Sequence, residues 1–211
     1  MTPLRISIKT HFVLTLFVFL ATASLHSTAL ANEAPLGLTW GMTAEDLANA
    51  GVVLSETRTE NGLSIYRSTS MPANISDAEF YSLIIHEEHG LVKVEILSED
   101  FRNDILGSAG KTRYADLKQT LTERYGEPTQ SLEQSGITLY DEPDEFYQCL
   151  EYDGCGLWLS VFEADGLSIV LRLRGLGRGE GYYRLTYESR LFGEALDEIE
   201  ASNSESDASA L

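Results

Sequence analysis

The sequence predicts an α+β protein in which an antiparallel sheet carries two main helices packed on one face. Three observations predict this class. Short apolar segments alternate with turn signals, as in hairpins of antiparallel strands. Two segments have helical spacing and clear end signals. The 180 residues after residue 31 contain no second long apolar run, and they suffice for one domain with a sizeable core.

The first 31 residues have the pattern of a secretory signal. Arg5 and Lys9 precede an apolar run at residues 12–23, and small residues follow it up to Ala31. A basic end, a short apolar core and an A-x-A site in this order are typical of a cleaved signal peptide. We expect cleavage between Ala31 and Asn32 and a periplasmic or secreted product without a lipid anchor.

Two segments predict the main helices. Thr43 stands at the cap position of the first helix, Asp46 follows it at the spacing of a capping box, and Gly51 ends the segment. The second helix covers residues 112–125, where apolar side chains recur on one face, and Gly126 ends it. Both helices are therefore predicted from local signals alone.

The strands are predicted from apolar segments that lie between turns. The clearest turn is Asn61-Gly62, a strong hairpin signal, and a second polar turn covers residues 86–90. Residues 191–201 predict a last helix, and the small polar residues 202–211 predict a disordered tail. The predicted strand segments are 36–41, two within 52–69, two within 80–98, 136–140, 146–150, 157–163, 167–174 and 182–188.

Residues 32–201 are predicted to form one α+β domain, with 36–108 and 109–190 as candidate halves. The hairpin that starts at Leu83 resembles the one that starts at Leu159, since each has two apolar strands and an acidic turn ending in Gly-Leu. Their offset is 76 residues, whereas the two helices start about 69 residues apart. A true repeat keeps one period, so a duplication and two unrelated hairpins both stay open.

The composition narrows the range of partners. The chain has 33 acidic and 15 basic residues and a net charge of −18; loss of the leader removes two basic residues and no acid, which gives −20. Such a surface repels nucleic acid and anionic membranes, and it favours a basic protein or divalent cations as partners. Acidity that serves only solubility is the alternative interpretation.

The two cysteines, Cys149 and Cys155, both follow the leader. In an oxidising compartment, a close pair of cysteines forms a disulfide. Five residues separate them, whereas a catalytic redox pair is typically C-x-x-C. We therefore predict a structural disulfide that fixes a local corner.

Three arginines on adjacent C-terminal strands are candidate ligand-binding residues. Arg172 and Arg174 share a face of one predicted strand, and Arg184 lies on the next. The glycine-rich residues 175–181 between them offer amides for an anion nest. The planar guanidinium suits anions and carboxylates, which predicts an anion site; in the alternative, the arginines balance the acidic loop and tail.

Two further clusters have metal-ligand chemistry. His86-Glu87-Glu88-His89 has the residue types of a zinc site, but its histidines are three apart, and strand residues at that spacing point to opposite faces unless a turn returns them. Acidic residues at 141–145, together with Glu151 and Asp153 near the cysteine pair, offer oxygen ligands for calcium without EF-hand spacing. We predict no metal or cofactor, and no catalytic residues, because no nucleophile, base and orienting group assemble.

The segment from Leu38 to Leu47, LTWGMTAEDL, resembles the G-M-T/S helix opening of small bacterial envelope proteins. These include the small lipoproteins of outer-membrane assembly and, more loosely, β-lactamase inhibitory proteins. The segment from Leu121 to Pro128, LTERYGEP, is similar to a helix ending of exported proteins. The resemblance implies a helix pair on one face of an antiparallel sheet and a role in binding other proteins.

Together these observations predict an exported, non-catalytic protein-binding module with a strongly acidic surface, such as an inhibitor or an immunity-like neutraliser of a basic partner. The alternative function is binding of a small anion or ligand by the arginine-bearing strands. An envelope enzyme is the third possibility.

Overall fold

A computed structural model describes residues 32–210; the predicted signal peptide, residues 1–31, lies outside the described residues. The strands are β1 (Ser55–Glu60), β2 (Leu63–Ser68), β3 (Ala78–His86), β4 (Gly90–Ser98), β5 (Gln130–Gln134), β6 (Leu157–Ala164), β7 (Leu167–Gly177) and β8 (Glu180–Ser189). The helices are α1 (Ala44–Asn49), α2 (Ser108–Tyr125), α3 (Phe146–Glu151) and α4 (Arg190–Ala210), with 3₁₀ turns at Pro35–Gly37 and Pro143–Glu145. The strands form one antiparallel sheet in the order β1-β2-β3-β4-β8-β7-β6-β5, which confirms the α+β class.

The inner face of the sheet carries the core, and α1, α2 and α3 contribute to it. Alternate side chains of the central strands point to this face, as the period of a strand requires. The hydroxyl groups of Tyr114 on α2 and Ser160 on β6 lie 2.7 Å apart within the core. The principal buried side chains of β7, β8 and α2 are Ile169, Leu171, Leu173, Tyr183, Leu185, Tyr114, Leu117 and Leu121.

Local signals near the start of the chain produce the predicted elements. The Thr43 amide donates to Asp46 Oδ2 at 2.9 Å, and the Asp46 amide donates to Thr43 Oγ1 at 3.1 Å, so the capping box of α1 is present. Asn61 and Gly62 both have positive φ, 50° and 73°, which is the conformation of a tight hairpin turn between β1 and β2.

The last helix, α4, lies on the outer face of the sheet, opposite α2. Phe192 and Ile199 lie beside Ile65 of β2 and Ile84 of β3, around a groove of about 310 Å³. The helix continues to Ala210, so residues 202–210, which the sequence predicted to lie in a disordered tail at 202–211, are helical in the structure. After Gly193 the segment contains neither glycine nor proline, and nothing in the sequence breaks the helix.

Three predicted strands are also wrong. Residues 36–41 contain a 3₁₀ turn and one isolated bridge rather than a strand. Residues 136–140 do not form a strand, and the strand in this region, β5, ends at Gln134. Residues 146–150 lie in α3, because their buried side chains recur at positions 1, 2, 4 and 5 of the segment, which is a helical spacing.

Helix α3 lies very close to β7 and β8. A Cβ at Gly175 would overlap the carbonyl oxygen of Tyr147, and a Cβ at Gly181 would overlap the Tyr147 ring. Glycine at both positions therefore permits the close approach. The disulfide between Cys149 and Cys155, whose Cα atoms are 5.1 Å apart, closes the loop after α3 and confirms the predicted pair.

The strand order divides the sheet into two four-stranded meanders that meet where β4 pairs with β8. A twofold relation between them would match β3–β4 with β7–β8. The sequence similarity that starts at Leu83 and Leu159 instead relates β3–β4 to β6–β7. The 76-residue offset therefore does not follow the symmetry of the sheet.

Candidate functional site

The three predicted arginines lie together on the outer face of β7 and β8. Arg172 is directly opposite Arg184 in the antiparallel register, and Arg174 is opposite Tyr182. Residues two apart on a strand share a face, so Arg172 and Arg174 point the same way. The structure thus brings into one arginine cluster the three residues that the sequence placed on neighbouring strands.

Apolar side chains flank the arginine cluster along the sheet. Leu159 of β6 is the register partner of Arg172, and Leu97 of β4 is the register partner of Arg184. Arg184 is exposed, whereas both leucines and Arg172 are half-buried. We call this accessible surface, formed by the outer side of β6, β7 and β8 together with Leu97, the open face.

The arginine cluster is electrostatically strained. Burial lowers the pKa of Arg172, and the neighbouring positive charges of Arg174 and Arg184 lower it further, while Asp153 acts in the opposite direction. The buried Nε of Arg172 has no hydrogen-bond partner among residues 32–210. None of the three guanidinium groups lies within 4.0 Å of a carboxylate in this part of the chain. Like charges directly opposite each other destabilise a sheet.

The glycine-rich stretch between β7 and β8 does not form the predicted anion nest. Gly175 and Gly181 are register partners within the hairpin, and the Gly181 amide donates to the Phe101 carbonyl at 3.2 Å. Arg178, at the turn of the hairpin, pairs with Asp144. Part of this backbone is used for strand pairing, so the side chains of the arginine cluster are the stronger candidates for binding an anion.

His86 and His89 lie side by side at the β3–β4 turn. Their ring centroids are 5.0 Å apart with an angle of 20° between the planes, so the turn returns the second histidine to the side of the first. Glu198 of α4 joins them, with Oε1 2.9 Å from Nε2 of His89. The sequence did not reveal Glu198, because it lies 109 residues from His89 and no local spacing indicates it.

The acidic loop at residues 141–145 does not gather its carboxylates around one point. Asp144 pairs with Arg178, and Glu145 accepts a hydrogen bond from the Glu142 amide at 3.3 Å. Among the described residues, the group of three potential metal ligands that converges is His86, His89 and Glu198. The geometry of the loop therefore does not favour a calcium site.

A half-buried polar cluster that the sequence did not predict ties α2 to β8. Asp77 accepts two hydrogen bonds of 2.7 Å from the Arg113 guanidinium and one of 2.9 Å from the Tyr183 hydroxyl. Burial opposes ionisation of Asp77, but these hydrogen bonds outweigh it and lower its pKa. The partners lie 36 and 106 residues away from Asp77, too far for a spacing signal. Since each group has its partner, we assign the cluster a structural role.

A cleft of about 630 Å³ lies between the N-terminal segment, the end of α2 and the start of α4. Two arginines line it, and each already has an acidic partner: Arg124 is 3.6 Å from Glu33, and Arg190 is 3.6 Å from Glu194. The cleft thus lacks the uncompensated positive charge of the open face.

No family model, no curated protein and no solved structure matches the chain. Within the described residues, no helix is long and apolar enough to cross a membrane. The resemblance to envelope proteins stays a prediction, and the function has to be inferred from the chemistry of the open face.

Proposed function

We propose that this protein is an exported, non-catalytic binding module that docks a carboxylate-bearing segment of another protein on its open face. The observation that carries the proposal is the direct opposition of Arg172 and Arg184 across two paired strands, with Arg174 beside them. Among the described residues, no carboxylate lies within ion-pair distance of these three guanidinium groups. A carboxylate on a partner protein would provide the missing negative charge.

The opposed arginines lower the stability of the free protein. Like charges directly opposite each other in a sheet cost roughly 0.2–1 kcal/mol. A buried polar group without a partner, such as Nε of Arg172, costs roughly 1–3 kcal/mol. A carboxylate on the partner relieves the first of these costs, because it neutralises the charges and accepts bidentate hydrogen bonds from an accessible guanidinium.

The surroundings of the arginine cluster favour a protein segment over a small anion. Leu97 and Leu159 extend the cluster on both sides with partly exposed apolar surface. Protein interfaces combine arginine with apolar contacts at their centres, whereas a small anion would use the charges alone. The rest of the strongly acidic protein repels an acidic partner, which orients its approach towards the open face.

The proposal is tested with a short synthetic peptide of alternating Glu and Val, titrated against the purified protein at low and high salt. We expect binding that weakens with salt and that falls by roughly tenfold or more in the triple variant R172Q/R174Q/R184Q. The matched control is R58Q/R102Q/R190Q, which removes the same charge from three exposed arginines outside the cluster and should leave the affinity unchanged.

Three outcomes contradict the proposal. Equal losses in the two triple variants would show that only net charge matters. Inorganic sulfate that binds as tightly as the peptide would indicate the small-anion function instead. A Lys–Val peptide that binds better than the Glu–Val peptide, and that gains affinity when the cluster is removed, would favour a basic partner on the acidic surface.

We propose further that the protein works in an oxidising compartment outside the cytoplasm. The leader pattern and the disulfide between Cys149 and Cys155 support this location. Mass spectrometry of the protein from the periplasm and the medium of expressing bacteria should give an N-terminus at Asn32 and an oxidised cysteine pair. A full-length, reduced protein that stays in the cytoplasm would contradict it.

A further inference from the structure

We propose that His86, His89 and Glu198 bind a divalent transition-metal ion, with Zn²⁺ as the best match, and that this ion fastens α4 to the β3–β4 turn. Two imidazoles and one carboxylate form a donor set that suits zinc, and a three-residue site leaves a fourth position for water. Magnesium and calcium prefer oxygen ligands, so this donor set selects against them.

The distances between the donors are close to those of a metal site. The ligand atoms of the three residues all lie within 4.8 Å of one another, and His89 Nε2 is 2.9 Å from Glu198 Oε1. With zinc–ligand bonds of about 2.0–2.1 Å, two ligands of one tetrahedral ion are roughly 3.3 Å apart. The His89–Glu198 pair already has nearly this separation, and closure of the third ligand needs a shift of about an ångström or two.

His86 is held in place by its burial, with 5% of the residue exposed. Its Nδ1 accepts a hydrogen bond from the Glu88 amide at 3.4 Å, which is a long bond. If Nδ1 binds the metal, the metal takes the place of this hydrogen bond. If Nε2 binds the metal, Nδ1 carries the proton and can no longer accept the bond from the Glu88 amide. The protein therefore gives up little when either nitrogen of His86 binds a metal.

The space around the cluster allows an ion and its remaining ligands to enter. A cavity of about 400 Å³ opens beside His86 and Glu198, and Glu87, Glu88 and Asn203 also line it. Their oxygen atoms offer a fourth ligand or hold a metal-bound water. Because the donors come from a hairpin turn and from the distant helix α4, an ion here joins two parts of the chain that are far apart in sequence.

The test uses the purified protein without a histidine tag, stripped of metal with EDTA and dialysed against metal-free buffer. We expect one Zn²⁺ per chain in a titration against a chromophoric zinc chelator, and Co²⁺ should give the visible absorption bands of tetrahedral coordination. Zn²⁺ should raise Tm, because a ligand that binds only the folded state stabilises it, whereas Mg²⁺ should not.

The matched pair of variants is E198Q and E200Q, which remove the same charge from neighbouring positions of α4. E198Q and H89Q should lower the zinc affinity roughly tenfold or more, and E200Q should leave it unchanged. Equal affinities in E198Q and E200Q, or the absence of a 1:1 zinc complex in the wild type, would overturn the proposal and leave a simple ion pair. None of these variants changes a residue of the arginine cluster. The result of the zinc experiment is therefore independent of the proposal that the open face binds a carboxylate-bearing segment.

Discussion

Replacement of Arg172 by leucine is expected to stabilise the folded protein while it weakens the proposed binding. Leucine keeps an apolar stem on the sheet and removes the charge opposite Arg184 and the buried Nε that lacks a partner. Residues that serve a binding site often lower the stability of the folded protein. We therefore expect Arg172→Leu to raise the stability and to lower the affinity for the partner.

The magnitude follows from two contributions. Relief of the like-charge pair is worth roughly 0.2–1 kcal/mol. Removal of an unpaired buried donor is worth roughly 1–3 kcal/mol, and the low end applies because the Arg172 side chain is only half-buried. We therefore expect the free energy of unfolding to rise by about 1–2 kcal/mol, or Tm by about 2–4 °C for each kcal/mol in a chain of this size.

Equilibrium unfolding in urea, followed by the fluorescence of Trp40 and Trp158, measures this change. The midpoint should rise with an unchanged m value. The control is Arg67→Leu on the same outer face, where the guanidinium lies 3.6 Å from the centroid of the Phe80 ring and already has a favourable contact. Arg67→Leu should not stabilise the protein.

Two results would refute the reasoning. A midpoint for Arg172→Leu that is equal to or below the wild-type value would mean that the guanidinium is well compensated in the free protein. Equal stabilisation by Arg67→Leu would mean that leucine is favourable anywhere on this face. In either case the strain of the arginine cluster would no longer support a binding role.

Asp77→Asn should destabilise the protein by about 1–3 kcal/mol, because it leaves Arg113 without its anionic partner. The pKa of Asp77 is lowered in the folded state, so the stabilisation that ionised Asp77 provides is fully present above about pH 4 and is lost as the pH falls through the pKa of the folded state. The urea midpoint of the wild type should therefore fall more steeply in acid than that of the variant. Gly175→Ala should lower Tm, since the added methyl group overlaps the Tyr147 carbonyl, whereas Gly193→Ala, on an uncrowded helix position, should raise it; the same sign for both would contradict the packing of α3. Reduction of the disulfide should lower the free energy of unfolding by about 2 kcal/mol, and unchanged urea unfolding in reductant would contradict this.

Elements whose signals are local were predicted correctly. Two of these signals are the capping box of Thr43 and Asp46 and the hairpin turn at Asn61-Gly62. Each depends only on residues that are close together in the sequence. Helix α3 was predicted as a strand, and the contacts of Tyr147 that hold it against the sheet are with Gly175 and Gly181, which lie 28 and 34 residues later in the chain. A short apolar segment alone does not distinguish a buried strand from a buried helix.

The candidate sites follow the same division. The period of a strand was enough to place Arg172 and Arg174 on one face, and an antiparallel hairpin then brings Arg184 opposite. The position of Glu198 beside His89 depends on where α4 returns along the sheet, and no residue near either position encodes that path. Long-range placement of this kind comes from packing and not from spacing.

The two edges of the sheet, β1 and β5, have consequences for aggregation. Each is short, at six and five residues, and their described side chains are almost all polar and exposed, among them Arg58 and Glu60. The free backbone groups of an edge strand pair readily with another extended chain, and charged, short edges discourage such pairing. Addition of further strands is therefore unfavourable, which protects the molecules from fibril growth when many of them are crowded together. This leaves the faces of the sheet, and among them the open face, for the binding that we propose.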